Sequence, residues 1–492
     1  MTDAPAAPTA PTAAAPEIVD PVVAAAAPKI RRRVAELLAA HRLPGVSVGV
    51  VRDQSLAWAA GFGFADLETT RRPDADTVYR VASISKTFTA AAVVQLRDRG
   101  LLALDDPLVH HLPEFGAVRV RHGRVEDVTL RRLLSHRSGL VSEGPFTYWD
   151  TREFPEPDEV LAALPRTEVV LAPDAGAKYS NLAFALLGEV VARRAGQPFP
   201  DYVQDHLLGP LGMSSSSFRP REDLLTRMAT GYEPHPFEDR PQPAGHTPAR
   251  GLAAAAGLYT TVADLARWLA LQHTAAPPAV GTAADPTADE AVPGPAAVLA
   301  PRSLAEMHTP QAIDAAWTEA RCLGWFGRRR GETVALGHGG SMHGFISAIQ
   351  FHKASRTGVV VLTNEGRHDV AGTAALDALD LLLAAQQEHP TPPPDAPPGA
   401  TPPELRRFLG RYQLRFGGVT HVEYREGVLT LAPAPPERTA LHAPARLAAT
   451  AAALRFRVTQ GRAAGEELEF ALGADGAVRG FTLSGFAYTR LG

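Results

Sequence analysis

Val81-Ala82-Ser83-Ile84-Ser85-Lys86-Thr87-Phe88-Thr89-Ala90 ends a short apolar strand and opens an apolar run, Ala90 to Leu96, with the composition of a buried helix. It carries Ser-x-x-Lys. Residues three apart on a helix lie on one face about one turn apart, so Ser83 and Lys86 point the same way. A serine hydroxyl is a weak nucleophile at neutral pH and needs a base and a nearby cation to lose its proton. A helix N-terminus adds a positive end that favours the developing negative charge. The only lysines are Lys29, Lys86, Lys178 and Lys353, so the pattern does not reflect a lysine-rich composition. By itself it is equally an N-cap serine followed by a solvated lysine.

The totals narrow the classes. A chain of 492 residues is long enough for two or three domains. A net charge of -4 leaves no basic footprint, so no nucleic-acid partner is expected. The single Cys322 excludes an internal disulfide and a cysteine metal site. The histidines lack ligand spacing, so neither a metal nor another cofactor is expected. No stretch of about 18 apolar residues occurs, and no membrane span is expected. Residues 1–28 read as a disordered Ala/Pro/Thr leader without the basic start of a signal peptide, which points to a cytoplasmic location.

Along the chain, Ile30 to His41 has helical spacing. Gly45 to Val51 and Leu56 to Gly63 read as paired strands about a turn at Asp53-Gln54. Thr77 to Val81 reads as a strand into the Ser83 helix. Val128 to Gly139, Asn181 to Ala195, Tyr202 to Leu211 and a Thr-capped segment after Thr261 read as helices. Residues 274–295 read as a disordered insertion. Cys322 to Gly327 and Val334 to Leu336 read as strands, Phe345 to Phe351 and Gly358 to Thr363 as a hairpin, and Val370 to Gln387 as a closing helix. This order suits an α+β domain over residues 29–388, its sheet built from both ends and its middle mainly helical. Residues 389–403 are a proline-rich linker, and residues 404–492 carry short strands of a small β barrel.

Two further clusters carry chemistry. In Tyr179-Ser180-Asn181, a phenol near an ammonium should have a lowered pKa and serve as a base for the serine proton. The Asn181 amide can hold both Lys86 and a substrate carbonyl. The bland reading is a loop tyrosine and an N-cap asparagine. In His338-Gly339-Gly340, two glycines after a strand let a substrate lie along the backbone. The amides of Ser341 and Ser83 could then form an oxyanion hole. The bland reading is a glycine-rich turn.

Ser83-x-x-Lys86, Tyr179-x-Asn181 and His338-x-Gly340, in that order, resemble the penicillin-recognising serine hydrolases: class C β-lactamases, D-Ala-D-Ala carboxypeptidases, D-aminopeptidases and related esterases, the peptidase S12-like group. Leu134 to Leu140, Pro210 to Met213 and Gly257 to Thr261 also resemble that family. The resemblance implies the β-lactamase/transpeptidase-like fold, and for the tail a lipocalin-like barrel. It implies Ser83 as the acylated nucleophile, Lys86 as its activating partner, Tyr179 as general base and proton donor, and Asn181, His338, Gly339 and Gly340 as substrate-binding residues. His338 stands where β-lactamases keep a lysine, and a neutral histidine offers no permanent cation for a substrate carboxylate. The expected activity is therefore acyl-enzyme hydrolysis of a small ester, amide or D-amino-acid peptide. A β-lactamase or D,D-carboxypeptidase is the rival, and an idle ligand sensor the reading of another class. An α/β-hydrolase is not expected. Self-association into a homo-oligomer stays open.

Overall fold

The computed structural model describes residues 19–235, 237–238, 240–274, 298–366, 370–389, 401–414, 418–425, 427–433, 445–459 and 463–491. The chain divides into two compact units, one of residues 1–273 and 306–390 and one of residues 274–305 and 391–492.

The first unit is built on an eight-stranded antiparallel sheet. From one edge its strands are Ser55–Gly63, Gly45–Arg52, Thr357–Thr363, Phe345–His352, Thr333–Met342, Phe326–Arg330, Glu319–Arg321 and Ala312–Ile313. N-terminal and C-terminal segments meet between its second and third strands, where Val48 pairs with Val361. Gly45–Arg52 is buried along its whole length, which suits its valine-rich sequence, with Ser47 and Arg52 its polar residues. Helices Pro21–His41 and Val370–Glu388 share one core with this strand through Val34, Val46, Val48, Ala375 and Leu379.

Several expected boundaries shift. The first helix starts at Pro21, inside the stretch read as leader. Asp20 caps it, accepting from the amides of Val22 and Val23 at 2.9 and 3.1 Å. Proline at the first helical position costs no hydrogen bond, so a proline-rich start is compatible with a helix. The helix after Thr129 is only Leu130–Leu134, and His136 turns left-handed at φ 57°. Phe199–Val203 and Gln204–Leu208 replace the single helix expected from Tyr202. Tyr79–Arg80 is shorter than the strand expected there. Cys322 to Gly327 is not one strand: Glu319–Arg321 ends before it and Phe326–Arg330 begins inside it. The glycines of His338-Gly339-Gly340 lie within the Thr333–Met342 strand, not after it. The insertion expected from 274 falls, beyond Thr274, outside the described residues, as does most of the linker.

The second unit contains a closed eight-stranded antiparallel barrel. Gly410–Leu414 pairs with Phe486–Leu491 to close it. Phe408, Tyr412, Phe456, Phe470 and Phe481 fill it. Two strands went unread, Ala445–Ala449 and Phe486–Leu491. The first is alanine-rich and has no local preference for a strand; its neighbours in the barrel impose the extended form.

Candidate active site

Ser83 sits in one 3₁₀ turn, Ala82–Ile84, and the α-helix begins at Ser85. Ala82 has φ 45°, a left-handed conformation that a non-glycine residue holds only against surrounding constraint. The constraint is visible. The Val81 amide donates to Leu258 O at 3.1 Å, and Val81 O accepts from Ser347 Oγ at 3.0 Å. The Leu258 amide in turn donates to Ser85 Oγ at 3.0 Å.

Lys86 is 0 % exposed. Its Nζ lies 3.1 Å from Ser83 Oγ, 2.7 Å from Asn181 Oδ1 and 2.9 Å from Ala255 O. Burial pulls the amine down to about 7, opposed by the charge of Glu143. Near neutrality the amine is therefore often unprotonated. It then has two N–H groups and one lone pair. Two carbonyl oxygens are in place for the hydrogens, which leaves the lone pair for the serine hydroxyl.

Asn181 opens the helix Asn181–Ala195 but does not cap it; Ser180 does, accepting from the Ala183 amide at 2.9 Å. The Asn181 amide is thus free for the site. Its Nδ2 donates to Glu143 Oε1 at 2.6 Å, which fixes Oδ1 toward Lys86. Tyr148 donates its hydroxyl to the other Glu143 oxygen.

Tyr179 departs from expectation. Its pKa is raised, first by burial, against a smaller lowering by the neighbouring Ser83 hydroxyl, and further by Glu143. Lys86 Nζ sits over the ring face, 4.8 Å from the centroid, rather than at the phenol oxygen. With 37 % of the residue exposed the push from burial is moderated, but the net direction stays away from phenolate. The expected lowering does not occur, because the ammonium meets the π face.

His338 is buried, and its Nδ1–H donates to Gly339 O at 2.6 Å. Burial and the charge of Lys86 bring it down to about 3, so the ring is neutral. The Phe326–Arg330 strand pairs only with Thr333 to Gly337. From His338 to Met342 that side of the strand is unpaired, while the other side pairs with Phe345–Ile349. Gly340 is required there: a Cβ would stand 2.1 Å from Val81 O and 2.6 Å from Ser347 Oγ. Ser83, Tyr179, Asn181, His338, Gly339, Gly340 and Ser341 all line one cleft of about 750 Å³, with Lys86 enclosed below. A cavity of similar size, about 790 Å³, is lined by Ala253 and Ala254 and by none of these residues.

Two neighbours went unread. Glu143 orients Asn181, and no spacing signals it. His136 accepts the Ser180 amide on Nδ1 at 3.2 Å and lies against Tyr179, ring centroids 4.3 Å apart. It falls in the family-like Leu134 to Leu140 segment, which was the available signal. The chain also carries one Gly-x-Ser-x-Gly, Gly45-Val46-Ser47-Val48-Gly49, the spelling of an α/β-hydrolase elbow. Here it runs through a fully buried strand. Ser47 Oγ donates to Asp74 O at 2.8 Å and contacts Tyr79 Oη at 3.0 Å, so it is a core residue.

The family model described as Beta-lactamase matches residues 30–384. The chain belongs to this family. It is 34% identical over 266 residues to esterase EstB of Burkholderia gladioli, covering 48% of this chain and 67% of the esterase. It is 31% identical over 208 residues to the D-alanyl-D-alanine-carboxypeptidase/endopeptidase AmpH of Escherichia coli (strain K12). That match covers 40% of this chain and only 49% of the carboxypeptidase. Among solved structures, the octameric penicillin-binding protein homologue from Pyrococcus abyssi aligns with a TM-score of 0.60 at 23% identity, over 94% of this chain and 100% of that one. A class C β-lactamase aligns at 0.59 and 22%, over 72% and 95%. At these identities the structures speak for the fold. The chain spans about half the length of the AmpH carboxypeptidase it matches. Among the described residues no helix is long and apolar enough to cross a membrane.

Proposed function

We propose that this β-lactamase-family chain hydrolyses small esters, or small or D-amino-acid-containing amides, through an acyl-enzyme on Ser83. The observation that carries the reading is the enclosed Lys86 amine, held by two carbonyl acceptors with the Ser83 hydroxyl at 3.1 Å.

Substrate lies along the unpaired side of the strand at Gly340 and Ser341. Ser83 Oγ attacks the carbonyl carbon while its proton passes to the Lys86 lone pair. The amides of Ser83 and Ser341 receive the oxyanion. Tyr179, still protonated, gives its hydrogen to the leaving alcohol or amine, and the C–O or C–N bond breaks. The net proton moves from serine to leaving group, with Lys86 and Tyr179 as its two carriers. Water then attacks the acyl ester, and the same groups work in reverse. Lysine as the base and tyrosine as the acid follow from the opposite directions of their pKa shifts.

The neutral His338 supports the ester reading over efficient β-lactam or D-Ala-D-Ala turnover, because it supplies no fixed cation. One observation favours the D,D-carboxypeptidase alternative. Arg321 and Arg328 line the cleft and share a single carboxylate, Glu319, at 3.2 and 3.9 Å, which leaves a positive excess. The two curated relatives carry names from both substrate classes. Self-association belongs to the proposal as well, since the Pyrococcus abyssi homologue is described as octameric.

The test is intact-mass detection of a fluorophosphonate adduct on wild type and Ser83→Ala, followed by an ester, D-amide and nitrocefin panel. One adduct, absent in the variant, with ester turnover dominant, is the expected result. A folded wild type that takes no adduct removes the reading and returns the idle-sensor alternative.

A further inference from the structure

Arg80 lies three residues before Ser83 and is 2 % exposed. Its Nη1 and Nη2 donate to no protein group among the described residues, and no carboxylate there pairs with it. Its guanidinium stands over the Tyr259 ring, 5.6 Å from the centroid. The Tyr259 hydroxyl is engaged with His246 Nε2 at 2.8 Å. Close by, His343 turns Nδ1 to Glu233 Oε1 at 3.3 Å and leaves a buried Nε2 with no protein partner. His246 is held below the ordinary range by burial and then by the charge of Arg80, and His343 by burial, then Arg152, with Arg80 a lesser cause.

The charges do not balance. Glu233 is the carboxylate of this cluster, and its other oxygen is taken by Arg152 Nη2 at 2.6 Å. Glu233 is thus already matched by the partly exposed Arg152, and the enclosed charge of Arg80 is left without a counter-ion among the described residues. An arginine keeps its proton in proteins, so the charge cannot be relieved by titration. Water can satisfy N–H groups but cannot neutralise a buried ion. A π face compensates only in part.

We propose that the buried Arg80 guanidinium holds one small monovalent anion, a halide or a compact carboxylate, with the unpartnered His343 Nε2 as a second donor to it. Trp149 connects the two regions: it lies 5.8 Å from the His343 ring and lines the catalytic cleft. The backbone connects them too. Arg80 pairs with Tyr259, and the next residue, Val81, is bonded to Leu258 and Ser347 as the stem of the serine turn. An anion on Arg80 therefore stiffens the segment that holds Ala82 left-handed and aims Ser83. Its binding raises both the stability of the fold and the turnover number.

The experiment uses the full chain in sodium chloride against sodium gluconate at constant ionic strength, gluconate being too bulky to reach a guanidinium that is 2 % exposed. Thermal melts are expected to rise with chloride and saturate. At about 100 times Kd the folding equilibrium shifts ~100-fold. Turnover should rise over the same concentrations. Arg80→Met should lose the saturable response. A crystal grown in bromide should show an anomalous peak within hydrogen-bond distance of Nη1 or Nη2. Formate in place of chloride tells a carboxylate site from a halide site: a response at lower concentration with formate assigns the carboxylate. Identical melts in chloride, formate and gluconate, with no bromide peak, would overturn the proposal. So would an Arg80→Met protein more stable than wild type in every salt, which would mark Arg80 as a buried charge without a ligand. If Arg80→Met does not fold, the bromide peak on wild type and the salt response of His343→Gln decide.

Discussion

Replacing Lys86 by methionine isolates the property on which the mechanism depends. The amine titrates at about 7 in the fold, against 10.5 for an unburied lysine. At about 1.4 kcal/mol per pH unit, enclosing the ammonium costs about 5 kcal/mol where both states are protonated. Between those two pKa values the unfolded chain binds the extra proton, so stability rises with pH across that window. Counting both states, the cost is roughly 5 kcal/mol at pH 6 and roughly 2 kcal/mol at pH 9. Methionine keeps most of the volume and carries no titration. Other titrating groups cancel when the variant is subtracted from wild type, and the lost hydrogen bonds add a nearly constant offset. Urea unfolding at pH 6 and pH 9 should therefore show the wild type gaining about 2–3 kcal/mol on Lys86→Met as pH rises. A difference that stays constant within about 0.5 kcal/mol would mean that the lysine is not depressed. The neutral-amine base would then be refuted along with it.

Other outcomes follow from the same geometry. The acidic limb of kcat/KM should fall near pH 7, with activity growing as Lys86 loses its proton; Glu143→Gln removes the charge that props the amine up and should move that limb to lower pH in a pH–rate profile. Tyr179→Phe should lower kcat about 10²–10³-fold while leaving the acidic limb in place, since the phenol donates to the leaving group and is not the group titrating there. Gly340→Ala forces a Cβ onto Val81 O and should cost about 2–3 kcal/mol in chemical denaturation. Gly339→Ala meets nothing closer than Ser347 O at 3.6 Å and should stay within about 0.5 kcal/mol of wild type.

The elements legible from sequence were those whose local pattern and tertiary role agree. Gly45–Arg52, the Phe345–His352 and Thr357–Thr363 hairpin, and the helix Asn181–Ala195 were read nearly to their ends, because apolar periodicity and burial coincide in them. Reading failed where context overrules preference. The proline-rich start became a helix because Asp20 caps it and the sheet offers Val22 and Val23 an apolar face. Ala445–Ala449 became a strand because a closed barrel needs its edge covered.

The same division runs through the site. The amino-acid sequence by itself determined which residue types meet, since Ser83 and Lys86 are bound together by helical spacing and Tyr179, Asn181 and His338 arrive in motifs of fixed order. Only the tertiary structure decided what each can do. Enclosure strips water from Lys86 and brings its amine down to about 7. Stacking puts the ammonium on the Tyr179 ring face instead of its oxygen and keeps the phenol an acid. Glu143 fixes which way the Asn181 amide faces. Solvation, dielectric and orientation belong to the assembled surroundings of a group, and no spacing along the chain records them.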